Sequence, residues 1–227
     1  MLEDEEPLDV VFPQFLEWIR TTREEVSKRT GDQYYTVLAS HKAFSFGIPV
    51  LLAEIERRQE LQTSDLVTEN VFFSDTFQYL REVKDDATKN VKKFALGNLY
   101  TLFTKKPYQG ERALHDVEAM EELFSHRSLA GLLSSMPSRT AEEQLQKWAE
   151  QKQKRAIKAE LNNNLVGLDI KKHQIDRLAE LDLFYPKLCK IRTKFTNDEE
   201  FQKELRQRGV HSKKLREKLT RIQLKGE

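Results

Sequence analysis

The chain has a single cysteine and no long apolar segment, and both absences restrict what it can be. Cys189 is the only cysteine among 227 residues, so neither an internal disulfide nor a cysteine-based zinc site can form. A buried, unreactive thiol is expected there. No run of about 18 apolar residues is present, and the first positions are acidic where a signal peptide would be basic. We therefore expect an intracellular protein, nuclear or cytoplasmic, without membrane contact.

Short motifs that would assign a function directly are also missing. The sequence contains no glycine-rich phosphate-binding loop, no nucleophile elbow and no His/Cys cluster at metal-ligand spacing. It shows no helix-turn-helix, zinc-finger or RNA-binding fingerprint and no internal repeat. Evidence for a function must therefore come from residue patterns that extend over longer segments of the sequence.

Charge is distributed unevenly along the chain. Residues 141–227 contain 21 Lys/Arg against 14 Asp/Glu, a net charge of +7, whereas residues 1–140 contain 17 against 23, a net charge of −6. This division predicts that the basic rear meets a polyanion or packs against the acidic front. The alternative is that exposed helices simply carry many lysines.

The front of the chain mixes helix and strand patterns. A helix is predicted over residues 12–29, and β-branched and aromatic residues predict a strand over 35–40, followed by a helix that opens at Pro49. A second buried strand is predicted over 71–74, with Asp75 as a turn or cap residue before a helix. Parallel strands would bring Asp75 and the loop 41–47 to the same edge of the sheet, where ligands usually lie.

Further along, only helices are predicted. Leu96, Leu99 and Phe103 point inward from a short helix, and the helix over 111–124 is expected to bury one face. No strand pattern appears from Ser138 onward, and Thr140 with Glu143 forms a capping box for a helix that Asn162–Asn164 should break. The expected inward face of the 111–124 helix is Ala113, Val117, Met120 and Phe124, and four aromatic residues near the first strand are assigned to the core rather than to a base-stacking platform: Tyr34, Tyr35, Phe44 and Phe46.

Three segments resemble the DEDDh family of 3′–5′ exonucleases in order and spacing. The strand running into residues 41–47 is similar to the second motif, His-Asn-Gly followed by Phe-Asp, and residues 72–76 are similar to the next strand with its Asp-Ser/Thr. Residues 93–100 and 112–119 are similar to the helix and the His-x-Ala-x-x-Asp of the third motif. The family includes the proofreading subunit of bacterial polymerase III, TREX-like nucleases and the exonuclease-like tail of promyelocytic leukaemia protein.

The resemblance covers residues 10–125 and implies an α/β fold. We expect a truncated ribonuclease-H-like exonuclease domain with few strands over residues 1–130, followed by an all-helical basic region over 138–227. In the family the strand at 35–40 pairs with a strand that carries the first motif, and that strand is absent here. The exposed edge should be covered by N-terminal residues, a C-terminal segment, a protein partner or a second copy.

The departures from the family concern its metal ligands. The resemblance implies two divalent ions about 4 Å apart, whose repulsion is on the order of 16 kcal/mol at an effective dielectric constant of 20, so several carboxylates are needed. The Asp-x-Glu of the first motif is missing, Gly47 replaces the second motif's Asp and Lys42 its Asn, and Glu111 replaces the third motif's His. Only Asp116 remains at a metal-ligand position. No cofactor is expected, although Mg²⁺ or Mn²⁺ would be required if the site were active.

Basic residues suggest contacts with DNA or RNA. Lys42 lies at the predicted sheet edge, and the last helix surrounds an apolar line with cations that could contact a nucleic-acid backbone or an acidic partner. We expect a catalytically inactive exonuclease-like protein that binds nucleic acid or a protein partner. The alternatives are an active metal-dependent 3′–5′ exonuclease and a helical protein-interaction scaffold. The cations of the last helix are Lys213, Lys214, Arg216, Lys218 and Arg221.

Overall fold

The structure, a computed structural model, describes residues 6–82, 88–110, 112–127, 129 and 131–222. Its described residues form a mixed α/β protein with a three-stranded sheet and many helices. The chain divides into two compact units, Met1–Gln146 and Lys147–Glu227. Among the described residues, no helix is both long and apolar enough to cross a bilayer.

The first unit opens with a long helix and the first two strands. Pro13 is tolerated near the start of the first helix, and Gly31 ends it in the left-handed conformation with φ 80°. A π-helical turn, Ala43–Gly47, leads from the first strand directly into the second helix, which Pro49 helps to start. The elements are α1 Leu8–Thr30, β1 Thr36–Ser40, α2 Ile48–Glu56, α3 Asp65–Thr68 and β2 Val71–Asp75.

The sheet has the order β1-β2-β3. β1 and β2 are parallel, with Ser40 opposite Asp75, which confirms the predicted parallel pair. β3, Arg139–Thr140, pairs antiparallel to β2, with Arg139 opposite Phe73. The expectation of no strand after Ser138 is therefore wrong. Two residues are too few to show a period-two pattern, and their pairing is set by a strand more than sixty residues away.

The described residues of the first unit also form α4 Thr76–Glu82, α5 Leu96–Thr104, α6 Ala113–Ser125 and a short 3-10 helix, Leu133–Ser135. The predicted inward face of α6 is confirmed for Phe124, which is buried, and for Met120, which packs against the apolar cluster. It is wrong for Ala113 and Val117, which are exposed, while Ala119 and Leu123 are buried instead. α6 carries apolar residues on two sides, and its packing against α5 selects the side that is buried. The apolar cluster they share contains Leu80, Leu96, Leu99, Leu123, Phe124 and Leu129.

The second unit contains only helices among its described residues. The helix that leads into this unit begins in the first unit with the predicted capping box, which is confirmed. Thr140 Oγ1 accepts from Glu143 N at 3.1 Å, and Glu143 accepts from Thr140 N at 3.0 Å. The resulting helix continues through Asn164 instead of breaking at Asn162, and Ser212 caps the last helix by accepting from Leu215 N. These helices are α7 Ala141–Asn164, which begins in the first unit, α8 Lys172–Glu180, α9 Tyr185–Arg192, α10 Asp198–Gln207 and α11 Lys213–Leu219.

The second unit has its own apolar core. Phe201, Leu178 and Leu188 are fully buried at its centre, and residues from all five helices contribute to the same cluster. Cys189 is a free, half-buried thiol that packs against this cluster. Burial of this many apolar side chains is what holds one long and four short, highly charged helices together.

Candidate functional site

Asp75 organises the carboxyl edge of the β1–β2 pair. Its Oδ1 accepts from the backbone N–H groups of Lys42, Phe77 and Gln78 at 3.1, 3.0 and 3.2 Å, and its Oδ2 accepts from Phe44 N at 3.1 Å. The residue is only 6% exposed. Asp75 therefore caps α4 and ties the 42–44 turn to the sheet at once. The prediction that Asp75 and the 41–47 loop meet at one edge is confirmed.

His41 lies beside Asp75 with both ring nitrogens occupied. Its Nε2 is 2.8 Å from the Phe94 carbonyl oxygen and its Nδ1 is 3.1 Å from Thr76 Oγ1. Because a carbonyl only accepts, Nε2 carries the proton and Nδ1 accepts from the Thr76 hydroxyl. Burial lowers the pKa of His41, although the Phe94 carbonyl and the charges of Asp75 and Asp116 act in the opposite direction. The ring is a neutral structural link between three segments.

Asp116, the one position that matches a family metal ligand, is also occupied. It lies in the first turn of α6 and accepts a hydrogen bond from the Tyr108 hydroxyl. The Tyr108 ring packs directly on Gly97, where a β-carbon would be 2.6 Å from Cδ1, and on Gly110. Burial, and then the Asp116 carboxylate, raise the pKa of Tyr108 to about 12. Two glycines thus make room for the ring that covers this carboxylate.

The remaining family positions offer no metal ligand in the described chain. Gly47 ends the π-helical turn without a side chain, and a β-carbon there would be 3.3 Å from Ser40 Oγ. Glu111 lies outside the described residues. No three His, Cys, Asp or Glu residues in the described ranges are placed to share an ion. With Asp75 bound by four amides and Asp116 by Tyr108, these side chains do not fit the two-metal centre that the resemblance implies.

Cations stacked on aromatic rings lie beside this edge. Lys42 Nζ and the Arg81 guanidinium are each 5.5 Å from the centre of the Phe77 ring, and the Arg139 guanidinium is 3.9 Å from the Phe44 ring. Within the described part of the chain, none of these three cations forms an ion pair. Together with Phe46 they form what we call the edge patch, which consists of Lys42, Arg81, Arg139, Phe44, Phe46 and Phe77.

Sequence reasoning identified Lys42 but missed the rest of the patch. Phe46 is 67% exposed, and Tyr34 and Tyr35 are 43% and 62% exposed, so their assignment to the core is wrong. Phe44 is half-buried, beneath Arg139. The π-helical turn directs Phe46 outward, and β1 is an edge strand whose flanking tyrosines stay accessible. Arg81 lies one helical turn after Phe77 on α4, a local spacing that the sequence analysis did not use. Arg139 gave no local signal, because only the fold brings it to Phe44.

The cations predicted near the C-terminus fall into two groups. Arg216 Nη1 donates to the carbonyls of Val210 and His211 at 2.7 and 2.6 Å, and Lys218, only 14% exposed, pairs with Asp169 at 3.0 Å. These two residues are therefore engaged in contacts within the second unit. Lys213, Lys214 and Arg221 are exposed, and they are the members of the predicted set that remain available to a ligand.

The Tyr108–Asp116 contact predicts an unusual tyrosine titration. Because the pKa of Tyr108 is raised to about 12, its hydroxyl stays protonated at pH 11 while the folded protein persists. Tyr108→Phe should therefore change the 295 nm tyrosinate absorbance at pH 11 very little. In denaturant the contact is lost, and the same substitution should remove about one sixth of the signal, since the chain has 6 tyrosines. An equal loss in both states would show that the contact does not form.

Comparison with known proteins gives no assignment. No model of a known family matches the chain, and no curated protein matches it. The case for a function therefore comes from the geometry of the edge patch and from the motif resemblance.

Proposed function

We propose that the first unit is a degenerate ribonuclease-H-like exonuclease domain that binds single-stranded nucleic acid at the edge patch without cutting it. The observation that carries the proposal is the set of three cations, Lys42, Arg81 and Arg139, stacked on aromatic rings without carboxylate partners in the described residues. A group of three cations is unexpected in this part of the chain, because residues 1–140 carry a net charge of −6. A cation without an ion-pair partner among the described residues is available to a phosphate.

The aromatic residues support a single strand as the ligand. A guanidinium that lies over a ring still directs its N–H donors outward in its own plane, where they can bind phosphate oxygens in a bidentate way. Phe46, 67% exposed, offers a face on which a base can stack, a contact worth about 1–3 kcal/mol per base. Bases in a duplex are already stacked, so the patch favours unpaired nucleotides.

The absence of cleavage in this proposal rests on side chains that are already engaged. Asp75 accepts from four backbone amides, and Asp116 is covered by Tyr108. A metal ion at either carboxylate would have to displace these contacts, and Gly47 contributes no third ligand. We therefore expect no release of mononucleotides from DNA or RNA with Mg²⁺ or Mn²⁺. Metal-dependent cleavage abolished by Asp116→Ala would favour the active-exonuclease alternative.

The test is binding of a fluorescently labelled single strand of about 20 nucleotides to the full chain, measured by anisotropy over a range of salt concentrations. Removing the three cations, by Lys42→Ala, Arg81→Ala and Arg139→Gln together, should lower affinity about a hundredfold at low salt. The slope of log affinity against log salt should become shallower by about 2, because roughly 0.7 of a counterion is released per phosphate contact.

The matched control removes the same charge elsewhere on the first unit. Lys28, Arg29 and Arg57 are exposed on α1 and at the end of α2, and their replacement by Ala should leave both affinity and salt slope nearly unchanged. Equal losses in the two triple variants would indicate a non-specific charge effect and overturn the proposal. Loss only on replacing Lys213 and Lys214 would move the interface to the second unit. No binding at low salt would favour the protein-interaction alternative.

A further inference from the structure

β1 leaves one edge of the sheet open. It pairs with β2 on one side, and no strand in the described ranges pairs with the other. Apolar side chains near this edge remain accessible, since Tyr35 is 62%, Val37 40% and Trp18 61% exposed. A groove of about 220 Å³ runs between α1 and the start of β1, with Trp18 and Tyr34 among its lining residues. An edge of this kind is a template for another strand.

We propose that a second copy of this chain occupies the edge, with the two β1 strands antiparallel about a two-fold axis at Leu38. β1 has the sequence Thr-Val-Leu-Ala-Ser and no charge, so two copies meet without repulsion. The axis at Leu38 places Thr36 opposite Ser40 of the partner subunit and Val37 opposite Ala39 of the partner subunit. Polar residues thus face polar ones and apolar residues face apolar ones.

The resulting sheet has six strands in the order β3-β2-β1-β1-β2-β3. Trp18, Tyr34, Tyr35 and Val37 expose roughly 400 Å² per copy, taking about 200 Å² for a whole aromatic side chain. Two copies would bury about 800 Å² of side chain plus the paired backbone, which is near the lower limit for a specific interface. We therefore expect a reversible dimer with a dissociation constant in the micromolar range. The inference is independent of nucleic-acid binding, because the edge patch and the outer edge of β1 use different residues.

Cysteine cross-linking tests both the dimer and its register. In a Cys189→Ser background, Leu38→Cys places two thiols opposite each other across the axis, within disulfide reach. Mild oxidation of the full chain should yield a covalent dimer of twice 26.7 kDa. The control is Val67→Cys on α3, a residue with 37% exposure that lies away from the edge. It should form no covalent dimer under the same oxidation, although its reversible association is unchanged.

Sedimentation of the unmodified chain gives the second readout. The weight-average mass should rise from one chain toward two between roughly 0.1 and 100 µM, and Val37→Lys should weaken this association at least tenfold. Because Val37 is exposed in the single chain, the substitution should leave the circular dichroism spectrum unchanged. A monomer at every concentration would overturn the inference, leaving the edge to another protein. A dimer without the Leu38→Cys cross-link would overturn it as well, by placing the interface elsewhere.

Discussion

Replacing Asp75 by Ala is expected to lower the free energy of unfolding of the first unit by about 4 kcal/mol. Four backbone N–H groups lose a charged acceptor, a hydrogen bond to a charged group contributes about 1.5–3 kcal/mol, and water can replace only part of this at a buried site. The midpoint of thermal unfolding should fall by roughly 10 °C for a unit of this size. Hydrogen exchange should quicken at the amides of Lys42, Phe44, Phe77 and Gln78.

Two further variants make this expectation specific. Asp75→Asn keeps Oδ1 for Lys42, Phe77 and Gln78 but turns an N–H₂ group toward Phe44 N, so its effect should lie between those of wild type and Ala. Asp32→Ala removes an exposed carboxylate after α1 and should change stability by less than about 0.5 kcal/mol. If Asp75→Ala were as mild as Asp32→Ala, the four hydrogen bonds would not be holding the turn.

The effect of Gly97→Ala on the free energy of unfolding is expected to change sign with the residue at position 108. With Tyr108 present, the new β-carbon would be 2.6 Å from the ring, so the ring must move and lose its contact with Asp116. We expect a loss of about 2 kcal/mol. With Tyr108→Ala the space is open, and Ala at position 97 in α5 should stabilise by about 0.5–1 kcal/mol, because glycine is the weaker helix former.

Urea unfolding of the four chains, wild type, the two single variants and the double variant, measures the coupling between the two positions. The expected interaction energy is about 2–3 kcal/mol, well above the few tenths found for independent sites. Additive effects would mean that the Tyr108 ring does not rest on Gly97 in solution. In that case the Tyr108 hydrogen bond to Asp116 would no longer speak against metal binding at this carboxylate.

The sequence alone predicted those structural elements that depend only on neighbouring residues. The strands β1 and β2, the Thr140–Glu143 capping box and the role of Asp75 as a cap were predicted because each depends on residues within a few positions. The parallel pairing of the two strands joins residues 35 positions apart and was only assumed. The two-residue β3, part of the buried side of α6 and the exposure of Phe46 were not predicted, since pairing and packing across long separations decide them. The stacking of Arg139 on Phe44 was missed for the same reason. Arg139 lies almost a hundred residues from Phe44, and no spacing rule connects them. The exonuclease ancestry stays a prediction.

Lys42 occupies a backbone conformation that does not suit it. Its φ is 61°, in the left-handed region, where a residue with a long side chain is less stable than Gly or Asn by about 1 kcal/mol. The motif that this segment resembles has Asn at that position, a residue that adopts the left-handed region readily. Lys42→Asn or Lys42→Gly should therefore relieve this strain, and either change also removes the ammonium group that lies over Phe77.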